Sequence, residues 1–481
     1  MSQESKSVLH RAIGASAIGN AVEWFDYGVY AYLATYIAAS LFPGDGEGSS
    51  IVYTLLGFAV SFLIRPIGGM IWGPLGDRIG RKRVLATTIV LMACSTLAVG
   101  LIPSYEAIGI AAPILLYLLR MVQGLSAGGE YGGAATFMAE YAPDRKRGFY
   151  GSFLEVGTLA GFTLGNLVAL LLVNILDDPA MESWGWRIPF LIAAPLGLIG
   201  MYLRSRVEDT PVFREVEAND DTEEVAGVYR DLVTKYLRPV LTLFGLVIAL
   251  NVVNYSLLSY TPTYLGTTLG MKESDALLVP LIGQIVMLVT LPFLGALSDR
   301  VGRRPMWLFS CAALMIMVVP VYKLIGSSLT GAIAGFAILG LLYAPQLATI
   351  SATFPAMFPT IVRFAGVAIG YNVATSLFGG TAPVINQAFI DATGDHLFPA
   401  YYMFGACLVG LVAAYFLIET KGVSLRGTQV PGTPEAIEEQ RDLAAESEPE
   451  VLPAPEVVPV PVDKPEPDTK RDLGDDPIPV S

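Results

Sequence analysis

The sequence predicts an all-α membrane protein in which twelve transmembrane helices form two pseudo-symmetric six-helix bundles. Three observations predict it. The ten residues Gly73-Pro74-Leu75-Gly76-Asp77-Arg78-Ile79-Gly80-Arg81-Lys82 return 222 residues later as Gly295-Ala296-Leu297-Ser298-Asp299-Arg300-Val301-Gly302-Arg303-Arg304, each copy between two long apolar runs. That spacing is too long for a solenoid repeat and fits two homologous halves. Of 481 residues, 53% are hydrophobic and 15% charged, and the charges interrupt apolar runs of roughly 20 residues, the length a bilayer core of about 30 Å demands. Finally, the basic residues gather in alternate connections, as they do on the cytoplasmic side of membrane proteins.

The apolar runs fall at about 12–41, 51–75, 84–103, 107–139, 148–175, 187–205, 238–268, 275–297, 305–325, 329–356, 364–391 and 397–419. The first carries Glu23 and Asp26 and has no small-residue cleavage site, so it reads as a span and not as a removable signal peptide. The second and third flank the first copy of the repeated loop, and the eighth and ninth flank the second. The longest internal polar stretch, 206–236, divides the runs six and six. A second echo supports the halves: Glu140-Tyr141-Ala142-Pro143-Asp144-Arg145-Lys146-Arg147-Gly148 matches Met357-Phe358-Pro359-Thr360-Ile361-Val362-Arg363-Phe364-Ala365-Gly366, each after the fourth span of its half. The expected organisation is a bundle at 1–205, a cytoplasmic connection at 206–236, a second bundle at 237–420 and a tail at 421–481.

Arg78, Arg81, Lys82, Arg83, Arg145, Lys146, Arg147, Arg300, Arg303, Arg304 and Arg363 share one side with both termini, whereas only Arg187, Lys272 and Lys323 fall on the other. Both termini are therefore expected in the cytoplasm, with the protein multi-pass in the cell membrane. The net charge of −13 does not describe the bundle, because residues 431–481 carry fourteen acidic and four basic side chains with eleven prolines. That composition predicts a solvated, disordered tail. Cys94, Cys311 and Cys407 lie within apolar runs and read as small packing residues. His10 and His396 have no ligand spacing. No metal site, cofactor or nucleic-acid partner is expected.

The paired loops, with Arg120-Met121-Val122-Gln123-Gly124 in the fourth run, resemble the major facilitator superfamily. More narrowly, Gly19-Asn20-Ala21-Val22-Glu23-Trp24-Phe25-Asp26, Arg65-Pro66-Ile67-Gly68-Gly69, Gly128-Gly129-Glu130-Tyr131, Trp184-Gly185-Trp186-Arg187-Ile188-Pro189 and Thr210-Pro211-Val212-Phe213 are similar to its metabolite-proton symporter family. Within it, Pro143 to Phe149, Asn251-Val252-Val253-Asn254-Tyr255 through Leu265, and Pro355 to Thr360 look most like the proline/betaine transporters. The likeness covers about residues 12–420. It implies a proton-coupled symporter that imports a small zwitterionic compatible solute by alternating access, with protons, a small molecule and lipids as partners, and leaves the oligomeric state open. Some osmosensing members end in a coiled coil, but this tail lacks heptads and is broken by proline, which places tail-driven osmotic activation in doubt.

A charged side chain in a span is costly and usually faces a wet cavity or a partner. Glu23 and Asp26 are three residues apart and share a helix face with Asn20 and Tyr30. In this superfamily the first and fourth spans line the cavity, so Asp26 and Arg120, with Gln123 on the same face, form the leading pair. Two readings are open: a proton carrier whose arginine partner turns to the substrate, or a static ion pair that sets helix packing. Glu23 and Glu130 are further proton-coupling candidates, Glu155 a weaker one, and Arg65 is expected to hold helix-end carbonyls. A zwitterion needs a cation for its carboxylate and aromatic faces for its ammonium. Arg120 and Gln123 supply the first, and Trp24, Tyr27, Tyr30 and Tyr255 the second, with Tyr260 also available. Asn251 and Asn254 either line the cavity or bond between helices.

The Gly124, Gly128, Gly129, Gly132 and Gly133 stretch lacks a phosphate loop's Gly-Lys-Ser/Thr and reads as close helix packing. With no nucleophile-base constellation either, an ATP-driven pump and an enzyme are disfavoured. In the repeated loops, Asp77 or Asp299 can satisfy a helix N-terminus, and Arg78, Arg81, Arg300 and Arg303 can bridge helix ends. Such contacts form a cytoplasmic gate, or else act only through positive charge on topology. The alternatives to zwitterion import are a 2-oxoglutarate-like organic-acid proton symporter, which Arg120 serves equally well, and a non-transporting membrane sensor.

Overall fold

The computed structural model describes residues 3–43, 47–79, 81–128, 130–205, 230–232, 234–425 and 427–446. Seven helical stretches among them are long and apolar enough to cross a membrane, including Ser50–Trp72, Asp144–Ile175, Leu237–Thr268 and Glu273–Val301. Three shorter apolar helices, Thr87–Gly100, Ala111–Ala127 and Gly185–Ile199, supply further spans. The first span, Gln3–Tyr32, and the eleventh, Thr360–Ala374 continued by Ala382–Thr393, complete the twelve. No strand occurs among the described residues. In hydrocarbon every peptide group must be paired, and a helix achieves this within its own segment.

Lipid gives apolar side chains no reason to cluster, so small residues set where helices cross. On the fifth span, Arg147–Ile175, Gly157 and Gly161 lie against the carbonyls of Ala17 and Ala21, leaving no room for a Cβ. That seam fixes the rotation of the first span and turns Glu23 and Asp26 away from the fifth. The fourth span is built from Ala111–Ala127 and Glu130–Tyr141. Its Gly124 and Gly128 press on the carbonyls of Ser61 and Arg65, the close packing expected of the glycine-rich stretch.

The seventh span departs from a regular helix. It runs Leu237–Asn254 as α-helix and then continues through π-helical turns at Tyr255–Tyr260 and Tyr264–Thr268 on either side of Pro262. Proline removes a donor and crowds the preceding turn, and widened turns are one way to absorb it. The eleventh span carries a matching π-helical turn at Thr375–Gly379. Polar contacts tie these segments to the first six spans: Ser376 donates to the Phe62 carbonyl at 2.7 Å, and Asn372 to the Gly128 carbonyl at 3.0 Å.

The tail differs in part from its expected disorder. Residues after the twelfth span, Phe398–Phe416, fold back across the helix ends: Leu425 is buried against Ala139 and Ala356, Ala436 is buried, and a helix forms at Pro434–Glu446. Glu439 accepts hydrogen bonds from Thr428 and Gln429. Burial works to raise its pKa, but those bonds outweigh it and hold the carboxyl below its usual range. Acidic composition predicted solvation here, yet Leu425 and the arginine partners of the nearby carbonyls are enough to dock the segment. Residues 447–481, and 206–229 of the central connection, lie outside the described residues.

Candidate functional site

Asp26 is 3% exposed, and Arg120 and Gln123 are fully buried. The expected direct pair between Asp26 and Arg120 is replaced by a relay. Gln123 donates from Nε2 to Asp26 Oδ2 at 2.9 Å, while its Oε1 accepts from Arg120 Nη1 at 2.9 Å. Spacing predicted that Arg120 and Gln123 share a face; it did not reveal that the amide stands between the charges. Thr96 of the third span, Arg81–Gly100, completes the group by donating to Asp26 Oδ2 at 2.6 Å. Arg120 stacks on Tyr30, with its guanidinium carbon 3.4 Å from the ring centroid, and its Nε and Nη2 have no hydrogen-bond partner. Buried N–H groups left unpaired cost free energy and mark a place where an acceptor is missing.

The Arg65 side chain turns to Glu23 and three aromatic rings, where it was expected to hold helix-end carbonyls. The side chain is 1% exposed, and Nη2 lies 3.9 Å from Glu23 Oε1. Its guanidinium carbon sits 4.1 Å from the Phe62 ring centroid, 4.8 Å from Tyr27 and 5.9 Å from Trp24. Tyr27 thus lies between two buried arginines, since Arg120 is 5.9 Å from the same ring. The signal that could have found Arg65 was available: an ionisable residue between Ile64 and Pro66 in a span is a functional candidate by its cost alone.

The aromatic group bridges the two halves of the chain. Tyr255 meets Phe62 edge-on at 5.1 Å, Phe58 at 5.9 Å and Trp24 at 6.3 Å. The Trp24 indole donates to Asn20, which donates in turn to Thr158 on the fifth span. Tyr30 donates to the Thr54 carbonyl at 2.7 Å. Tyr27 and Tyr255 keep buried hydroxyls without a hydrogen-bond partner. Asn251 and Asn254 bond between helices, to Thr375 at 3.0 Å and Tyr343 at 3.0 Å. Tyr260 lies apart, bonded to Gln387. Glu155 is buried in the fifth span, and the side chain of Glu130 lies outside the described residues.

At the end of the bundle that carries the repeated loops, Asp299 accepts from the backbone N–H groups of Gly148 at 2.8 Å and Phe149 at 2.9 Å. A carboxylate there satisfies orphan donors of the fifth span and opposes its dipole. Arg303 holds Asp299 at 2.6 Å, and Arg363 pairs with Glu140 at 3.1 Å. The Arg300 side chain is exposed, and its carbonyl accepts from Lys421. The tail crosses the same surface: the carbonyl of Val423 accepts from Arg147 at 3.0 Å, and that of Leu425 accepts from Arg363. The side chains of Asp77, Arg78 and Arg81 lie outside the described residues.

Asp299→Asn keeps the side chain's shape but removes the charge that both N–H groups and Arg303 share. We expect a loss of about 1 kcal/mol, roughly a fivefold shift from closed to open at this face. Thiol labelling of single cysteines placed along the crossing of the fifth and eighth spans measures it. Unchanged labelling rates would mean that Asp299 does not hold the closure.

A family model described as "Sugar (and other) transporter" matches residues 12–430. A proline/betaine transporter of Escherichia coli (strain K12) is 43% identical over 450 residues, covering 91% of this chain and 89% of the relative. A glycine betaine/proline/ectoine/pipecolic acid transporter, OusA of Dickeya dadantii, is 43% identical over 427 residues, covering 87% and 85%. The ectoine/proline transporter ProP of Corynebacterium glutamicum is 41% identical over 435 residues, covering 87% and 85%. Among solved structures, the proton:xylose symporter XylE bound to 6-bromo-6-deoxy-D-glucose superposes with a TM-score of 0.70 at 18% identity, over 91% of this chain and 99% of XylE, a likeness of fold alone. The buried charges inside a helical bundle, the duplicated loops and these matches together place the chain in the sugar (and other) transporter family of the major facilitator superfamily: it is a multi-pass membrane transporter of small molecules and not an enzyme.

Proposed function

We propose that the protein imports a small zwitterionic compatible solute, of the proline or glycine betaine kind, together with protons. The observation that carries this reading is the charge balance at the aromatic group. Arg65 and Arg120 are offset by Glu23 and Asp26, all buried. With Asp26 ionised, a zwitterion leaves such a site neutral, whereas a dicarboxylate adds two negative charges, more than the one coupled proton on Asp26 cancels, at a cost of several kcal/mol. That argument favours zwitterions over organic acids. The unpaired N–H groups of Arg120 suit a carboxylate, and the rings of Tyr27, Trp24 and Tyr255 suit an ammonium. The names of the relatives point to the same substrates.

Alternating access would rock residues 1–205 against 237–420, with Asp299 and Arg303 releasing the fifth span as the inner face opens. Asp77, Arg78 and Arg81 in the first copy of the loop would do the same for their own neighbours. The gathering of basic residues on that face supports a cytoplasmic position for it and for both termini, in the plasma membrane. Asp26 carries the coupled proton: the proton is released when Arg120, free of substrate, stabilises the Asp26 carboxylate through Gln123, and it is bound when a substrate carboxylate engages Arg120.

Uptake into proteoliposomes tests the reading. Labelled glycine betaine and proline should accumulate with an inward proton gradient, and 2-oxoglutarate should not compete. Gradient-driven uptake of 2-oxoglutarate, with no inhibition by betaine, would overturn the zwitterion assignment.

A further inference from the structure

A cavity of about 40 Å³ opens beside Asp26 on the side away from the aromatic group. It lies among the first, third and sixth spans, lined by Glu23 and Asp26, by Ala93 and Thr96, and by Ala193 and Gly197. The third span and the sixth, Ile188–Ser205, pack chiefly on each other and on the first and fourth spans, so the cavity belongs to the N-terminal six helices and not to the seam where Tyr255 meets Phe62. Gly197 approaches Ala93 so closely that an added Cβ would lie 2.8 Å from the Ala93 methyl.

The cavity is also polar at one end. Asp26 Oδ1 is buried with no hydrogen-bond partner, although Oδ2 of the same carboxylate has two. A space of this size exceeds the roughly 10–15 Å³ that one water needs, and water is the group that satisfies an otherwise orphaned buried oxygen. Its other end, at Gly19 and Ile89, points toward the face carrying the repeated loops, because the first and third spans rise from that face. On that same face Asp299 of the eighth span joins the halves by accepting from the N–H groups of Gly148 and Phe149 on the fifth.

We infer that this cavity holds water and takes the proton from Asp26 toward the cytoplasmic face within the N-terminal six helices, by a route separate from the one the substrate takes. The inference rests on the proton-coupled reading proposed above. It gives each flux its own exit. Once the substrate carboxylate has left Arg120, the proton leaves Asp26 by transfer to a water in the cavity, forming hydronium and leaving the carboxylate, without passing through the seam. The charged groups around Asp26 are Glu23 on its own helix and Arg120 on the fourth span. Arg65 of the second span reaches Glu23, and the third and sixth spans present Thr96 and apolar residues to the cavity.

The experiment separates proton movement from substrate movement in proteoliposomes of the full chain, with labelled proline as the probe. Ala93→Leu fills the cavity from a residue that touches neither Arg120 nor the aromatic group. Proline counterflow, which needs no net proton transfer, should stay within about twofold of the unmodified protein, while accumulation driven by a pH gradient should fall about tenfold, since the proton loses its water relay. If Ala93→Leu abolishes both, Ala193→Cys decides the matter, in a chain carrying Cys94→Ser, Cys311→Ala and Cys407→Ala. A small methanethiosulfonate reagent should react with the new thiol and then block accumulation with counterflow intact. A thiol that never reacts, or a filled cavity with full accumulation, overturns the inference. Unmodified protein that exchanges proline but moves no protons with it would instead overturn the coupling proposal itself.

Discussion

Arg120→Ala is expected to raise the KM for proline or betaine about thirtyfold or more, with the protein still inserted and folded. Removing one partner of a buried, charge-assisted contact costs about 2–5 kcal/mol, and each 1.4 kcal/mol is tenfold. The guanidinium is fully buried, stacked on Tyr30 at 3.4 Å and tied through Nη1 to Gln123, while Nε and Nη2 have no partner. Its orientation is therefore set before any substrate arrives, and the free edge is the part a carboxylate can engage in bidentate fashion. Arg120→Lys should fall between the two, because an ammonium keeps the charge but loses the fork. Equilibrium binding and counterflow in proteoliposomes measure the effect. A KM within about threefold of the parent, less than 1 kcal/mol, would remove Arg120 from the substrate site.

Asp26→Asn is expected to leave exchange intact and abolish accumulation. An asparagine keeps the polar volume, and its Oδ1 can still accept from Thr96 and Gln123, which now bond Asp26 at 2.6 Å and 2.9 Å. It resembles a permanently protonated site, so substrate binds but the cycle no longer releases a proton. Each unit of pH gradient supports about tenfold accumulation per coupled proton. With one unit imposed, the internal-to-external ratio should therefore drop from about ten to about one. Undiminished accumulation would exclude Asp26 as the carrier and move the assignment to Glu23, whose arginine partner is Arg65 at 3.9 Å, or to Glu130.

The twelve-helix fold was legible because its determinants are local. Span length, the charge interruptions and the repeated loop at Asp77 and Asp299 are properties of contiguous residues, and a bilayer imposes the same length on each helix. The shared face of Arg120 and Gln123 was legible for the same reason, since it follows from helical spacing alone. Which side chains meet across helices was not. That depends on helix rotation, and rotation is set by crossings such as Gly157 on Ala17 and Gly124 on Ser61, between residues far apart in the chain. Those crossings place Gln123 between Asp26 and Arg120, bring Arg65 to Glu23, add Thr96 and leave the cavity beside Ala93 and Gly197. The tail shows the same division. Its composition determined an acidic, proline-rich segment, but the docking of Leu425 between Ala139 and Ala356 depends on a hollow that exists only once helices from both halves have come together.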